Sequence, residues 1–208
     1  IEYTGLLFIP SEMPYDLFQP DKKNSLKLYV NKVFISDKVE ELMPSYLRFV
    51  KGVIDSADLS LNISREMLQH SALIEKIKHG TVSRLLKELK KRAQNYDDYM
   101  KFWQNFGIAF KEGIYEDFAN REEIASLSYF ASTHDENKLT TLDEYIARVQ
   151  GEQKAIYYIT GDDVKVLANN PQLEAFKDKG IEVLLLTDPI DEFWPQTLPN
   201  YKGFTVKH

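Results

Sequence analysis

The stretch DLSLNISREMLQ, residues 58–69, sets an arginine where a helix should begin. Ser64 is a natural N-cap, its hydroxyl able to accept from a backbone N–H that has no partner inside the helix. Arg65 then falls in the first turn, where the helix dipole is positive and a cation is mildly disfavoured. An anion at that point removes the conflict, because free amides and a planar guanidinium converge on it. Gln69 follows four residues later on the same helical face, and Asn62 flanks the cap. Glu66 either orients Arg65 or simply favours the first turn through the dipole. Together these side chains have the chemistry of a phosphate or carboxylate reader. The competing reading is a surface arginine whose stem lies over Met67 or Leu68, and spacing alone leaves both open.

A second constellation is acidic. Asp162 and Asp163 follow one apolar run, and Asp188, Asp191 and Glu192 follow another. Carboxylates at the carboxyl ends of neighbouring parallel strands are where α/β enzymes hold Mg²⁺, as in Toprim or receiver domains. The plainer reading makes Asp163 and Asp188 the openers of helices, with Pro189 at a first helical position. His70, His79, His134 and His208 have no metal-ligand spacing, and none of the nine glycines forms GxGxxG or a P-loop. Arg84, Lys87, Lys91 and Arg92 form a basic helix edge, read as a solvated face or a surface for an acidic partner. Trp103, Phe106, Phe110, Phe193 and Trp194 are either core or apolar contacts for unfolded chains; their exposure decides.

The elements that must position these residues can be read from periodicity. Residues 2–10 and 26–35 are strand candidates, with Leu26, Leu28 and Val30 alternating against Lys27, Tyr29 and Asn31. Prolines 10, 14 and 20 with Asp21, Lys22, Lys23 and Asn24 make a turn-rich connection. Residues 38–43 read as a short helix closed by Pro44, and 49–54 as strand or helix. Apolar residues recur at helical spacing from Leu73 to Ala93, with Gly80 as a break or close-packing point. A further helix runs from about Asp97 to Gly113. Asn120 with Glu123 and Thr141 with Glu144 have the spacing of capping boxes. Residues 155–160 and 181–187 are strands around a helical stretch, 163–179, interrupted at Pro171 and stopped by Gly180. Strand, helix and strand make a βαβ unit, expected parallel and right-handed.

With 208 residues, 43% of them hydrophobic, the chain can build one sizeable core or two small ones. No cysteine is present, so neither a disulfide framework nor a thiolate metal site can form, which suits a reducing cytoplasm. No run approaches the ~20 apolar residues of a membrane helix. A formal charge of −6 leaves no footprint for general nucleic-acid binding. The chain opens on Ile1 in what reads as a strand already under way, as expected of a fragment with a missing upstream portion.

LNISREMLQ, preceded by FVKGVIDSADL (residues 49–59), resembles the catalytic-loop signature of the heat-shock protein 90 chaperone family. YTGLLFIPSEMPYDLF (3–18), LKLYVNKVFI (26–35), IYYITG (156–161) and EVLLLTDPIDEF (182–193) agree with it in order and spacing, and EDFANREEIASLSYFAST (116–133) resembles the bacterial branch. The resemblance covers the whole chain and corresponds to the family's middle domain alone. It implies an α/β fold of two αβα segments, a larger one over 1–94 and a smaller one over 121–208, joined by a short helical connector over 95–120. It also implies a part in an ATP-driven, stress-responsive chaperone that binds unfolded clients. In that family ATP and Mg²⁺ sit in an N-terminal domain, and Arg65 would reach the γ-phosphate on closure, as an arginine finger in cis does. Gln69 and Asn62 would steady the loop, and Val33 and Phe34 would meet the N-terminal domain. Asn31-Lys32 departs from the family, which commonly has two basic residues there, and weakens the case for a second cationic contact. A separate C-terminal domain would make the intact protein a homodimer, leaving this fragment monomeric, without cofactor and inactive as an ATPase. Co-chaperones are further expected partners. The reading from another class is a scaffold module in which the loop is only a fold element.

Overall fold

The structure, a computed structural model, describes residues 1–21 and 25–208; Lys22, Lys23 and Asn24 of the expected turn lie outside the described residues. The fold is α/β and divides into two compact units, Ile1–Ala109 and Phe110–His208. Among the described residues no helix is long and apolar enough to cross a membrane.

The first unit is built on a four-stranded sheet. Its strands are β1 (Tyr3–Phe8), β2 (Ser25–Val30), β3 (Val33–Ser36) and β4 (Lys51–Ser56), in the order β1-β4-β2-β3. β4 is antiparallel to β1 and parallel to β2, which resolves the ambiguous 49–54 stretch as strand from Lys51 onward, with Phe49 and Val50 leading into it. Leu26, Leu28 and Val30 are buried, as their alternation requires.

The single strand expected over 26–35 is a hairpin instead. Asn31 and Lys32 have φ of 50° and 68°, the paired positive values of a type I′ turn, between Val30 and its partner Val33. Asp55 of β4 stabilises this turn, accepting from the Lys32 N–H at 3.2 Å and from its Nζ at 3.0 Å. The helix expected at 38–43 is a single 3-10 turn, Glu40–Leu42, followed by another at Ser45–Leu47.

After β4 come α1 (Arg65–Gln69), α2 (Ala72–Arg92) and α3 (Tyr96–Lys111). α2 continues unbroken through Gly80, where an added Cβ would lie 2.5 Å from the Tyr3 phenol oxygen, so this glycine marks close packing. Its buried line is Ile74, Ile77, Thr81, Val82, Leu86 and Leu89. Arg84, Lys87, Lys91 and Arg92 are exposed. Tyr99, Phe102, Trp103 and Phe106 of α3 are buried, with Phe49 stacked on Phe106 at 4.7 Å. These aromatics are core.

The second unit contains α4 (Gly113–Glu116), α5 (Arg121–Ser126), β5 (Ala131–Ser132), α6 (Leu142–Arg148), β6 (Ala155–Thr160), α7 (Val164–Ala168) and α8 (Glu174–Asp178). It closes with β7 (Val183–Leu186), α9 (Trp194–Thr197), β8 (Asn200–Tyr201) and β9 (Phe204–Lys207), giving a sheet ordered β5-β7-β6-β9-β8. β6 and β7 pair in parallel, as the βαβ reading expected. A 3-10 turn at Pro171–Leu173 separates α7 from α8, and Gly180 takes φ +66°.

Of the two capping boxes, Thr141–Glu144 is complete, with both reciprocal bonds at 3.1 Å. The Asn120–Glu123 box does not form. Asp117 competes for the Asn120 side chain, accepting from its Nδ2 at 2.9 Å and from its backbone N–H at 3.1 Å.

Candidate functional site

The loop carrying Arg65 leaves the sheet at the end of β4. Its base is anchored by Leu59, which is buried, and its far end by Leu68, buried in α1. Between them Ser60 turns the chain, its hydroxyl accepting from the Asn62 N–H at 3.3 Å and its carbonyl from the Ile63 N–H at 3.2 Å. Ser64 then caps α1, its Oγ accepting from the Met67 N–H at 3.2 Å. The cap predicted from sequence is therefore present.

Arg65 is exposed and, among the described residues, makes no ion pair or side-chain hydrogen bond. Gln69 and Asn62 are likewise exposed, with side chains that bond to no other described residue. Leu61 and Met67 of the same segment are 52% and 57% exposed, so the loop also carries apolar side chains that the domain does not cover. A free guanidinium on an anchored loop can read an anion presented by another surface.

The β2–β3 turn lies at the same end of the sheet. The Asn31 N–H donates to the Ser56 carbonyl at 3.3 Å, next to where the loop begins. Lys32 is exposed but already paired with Asp55, and its hydrogen bonds hold the Asp55 carboxyl below the usual carboxylate range. Val33 and Phe34 are both exposed, at 51% and 52%. Strand alternation places them on opposite faces, and only Phe34 joins Tyr29, edge-to-face at 5.6 Å.

The acidic constellation has a different role from metal binding. Asp163 caps α7, accepting from the Val166 N–H at 3.0 Å, while Asp162 is exposed. Asp188 precedes Pro189 at a helical start and lies 2.6 Å from Lys111 Nζ. Asp191 is buried, and its carboxylate takes Lys111 Nζ at 2.9 and 3.0 Å together with Trp194 Nε1 at 2.7 Å. At Asp188 and Asp191 a lysine supplies the positive charge that a divalent ion would bring, and Asp163 is engaged as a helix cap, so the Mg²⁺ reading of Asp162, Asp163 and Asp188 gives way. No group of three or more His, Cys, Asp or Glu among the described residues is placed to hold a metal. Sequence reasoning missed Lys111, whose partners lie about eighty positions away.

Trp103, Phe106, Phe110 and Trp194 are buried, whereas Phe193 is 54% exposed beside Tyr115. A cavity of about 460 Å³ in the second unit is lined by Tyr145, Arg148, Lys179 and Glu182, with none of the loop residues. Arg148 there is held by Glu182 at 2.7 Å, a structural pair.

Comparison with known proteins bears out the family resemblance. A profile of the Hsp90 protein family matches residues 1–208. The chaperone protein HtpG of Paramagnetospirillum magneticum is 57% identical over 97% of this chain, which covers 32% of that protein. HtpG of Ehrlichia ruminantium is 54% identical over the whole chain, which covers 33% of it. The chain thus spans about a third of the length of these relatives. Among solved structures, the middle domain of a Plasmodium falciparum heat shock protein superposes with a TM-score of 0.87 at 34% identity, covering 99% of this chain and 81% of that one. With sequence and fold in agreement from end to end, the chain belongs to the Hsp90 family and has the fold of its middle domain.

Proposed function

We propose that this domain serves an ATP-dependent chaperone by lending Arg65 to an ATP γ-phosphate held, with Mg²⁺, in a separate N-terminal domain. Bound there, ATP and Mg²⁺ supply the transferring phosphoryl group and its metal. Arg65 neutralises charge that builds on the phosphoryl oxygens, as an arginine finger does. Gln69 and Asn62 steady the loop, and Val33 and Phe34 contact the N-terminal domain. The carrying observation is that Arg65 is exposed and without a partner among the described residues, while Leu59 and Leu68 fasten its loop on either side.

The same reading assigns 1–94 and 121–208 to a larger and a smaller αβα segment, with 95–120 as connector. The domain contributes surface to unfolded clients and co-chaperones in the cytoplasm, and a C-terminal domain makes the intact protein a homodimer. Alone, the domain is monomeric and does not hydrolyse ATP.

The test is Arg65→Ala in the full-length protein, following steady-state turnover and ATP affinity separately. Turnover falls by roughly 10³-fold with affinity nearly intact. Normal turnover would leave the scaffold reading in its place.

A further inference from the structure

We infer that Asp58 is a positioning residue for Arg65, fastening the base of its loop to the chain that leads into β1. This rests on the role proposed for Arg65. Both backbone groups of Glu2 are engaged by residues 56–58. The Glu2 N–H donates to Asp58 Oδ2 at 2.6 Å, and its carbonyl accepts from the Ala57 N–H at 3.3 Å and from Ser56 Oγ at 3.5 Å. Ser56 Oγ also accepts from the Asp58 N–H at 3.3 Å, so the carboxylate is aimed by its own backbone.

Beyond this point the loop has no such tether. Among the described residues, every hydrogen bond made by residues 59–69 stays within the segment 59–71. The Asp58–Glu2 bond spans 56 positions and is the last hydrogen bond tying the loop to a distant part of the chain before Arg65. A charge-assisted bond at that place sets the direction in which the loop departs. A long, exposed guanidinium seven residues on magnifies any change in that direction, and small misplacements of a catalytic group are costly in rate.

The experiment uses the full-length protein and measures kcat, ATP affinity and the folded fraction at the assay temperature, with Arg65→Ala in parallel. Asp58→Ala lowers kcat by about 10-fold or more, with ATP affinity unchanged. Glu2→Pro deletes the donated N–H from the other side and does the same without touching the loop. The double variant loses no more than either single one, because both remove one bond. Asp58→Asn keeps an accepting oxygen and restores kcat to within about twofold of wild type.

Normal kcat in Asp58→Ala and Glu2→Pro, with Arg65→Ala still slow, overturns the tether and leaves the Arg65 role standing. Additive losses, an Asp58→Asn variant as slow as Asp58→Ala, or a kcat that merely follows the folded fraction also overturn it. Normal turnover in Arg65→Ala removes both.

Discussion

Lys111 Nζ lies 2.9 and 3.0 Å from the two carboxylate oxygens of Asp191 in the interior of the second unit. The ammonium ends α3, where a cation suits the helix dipole, and it also faces Asp188 at 2.6 Å and the Phe130 ring at 5.3 Å. Asp191 in turn accepts from Trp194 Nε1 and from the Asp188 N–H. Each charge is compensated, which is the condition for ionised groups to be tolerated in an interior.

Removing one partner breaks that balance. Asp191→Ala leaves the Trp194 N–H and the Asp188 N–H without their acceptor and the ammonium with one carboxylate. The expected cost is about 3–5 kcal/mol. Thermal melting of the isolated domain reads this as a fall on the order of 10 °C. A melting point unchanged within a degree or two would mean that the network contributes nothing.

Arg65→Lys separates charge from shape. Lysine keeps the positive charge but lacks the planar fork that matches two phosphoryl oxygens. Turnover in the full-length protein should stay close to that of Arg65→Ala rather than return towards wild type. Recovery of most of the rate would show that a point charge suffices.

Gln69→Ala addresses the other exposed group on α1. If Gln69 steadies the loop against the closing N-terminal domain, stopped-flow fluorescence across the two domains should show slower closure with ATP affinity preserved. Unchanged closure kinetics would remove Gln69 from the site.

Gly52 tests how the sheet delivers the loop. It has φ +143°, and a Cβ there would sit 2.0 Å from the Leu6 carbonyl oxygen and 2.9 Å from Leu7 Cα. Both contacts are backbone, so neither can yield by a rotamer change. Gly52→Ala should destabilise the domain by on the order of 3 kcal/mol through overpacking and backbone strain. Urea denaturation checks this as a shift in midpoint.

Asp55 gives the β2–β3 turn a dependence on pH. Its hydrogen bonds with Lys32 lower the folded pKa below the unfolded value. The carboxylate's contribution is therefore complete above the ordinary aspartate range and is lost as pH falls through the depressed folded value. In an NMR titration the Asp55 carboxyl should titrate below an unperturbed aspartate, and Lys32→Ala should move its midpoint upward. Equal midpoints in the two proteins would show that the pair has no effect on titration.

What the sequence determined by itself is local. The Ser64 and Asp163 caps, the Thr141–Glu144 box, the Gly180 stop and the buried alternation of Leu26, Leu28 and Val30 all reach their partners within a few residues or follow a strand's twofold repeat. Their spacing in the chain is their geometry, so they can be read without a fold. Even so, Asn120 shows how a local competitor defeats a correct spacing: Asp117 takes its side chain before Glu123 can complete the box. The tertiary structure decided everything that joins distant positions. Asn31 and Lys32 turn the chain beside Asp55, over twenty residues later, and Lys111 meets Asp191 eighty positions away. Exposure was decided the same way: Phe34 and Phe193 face solvent while Trp103, Phe106 and Trp194 are core, although all are aromatics in apolar surroundings. Arg65 belongs to both levels, since its place at a helix start is local, whereas its exposure depends on how the other described elements fold around the loop.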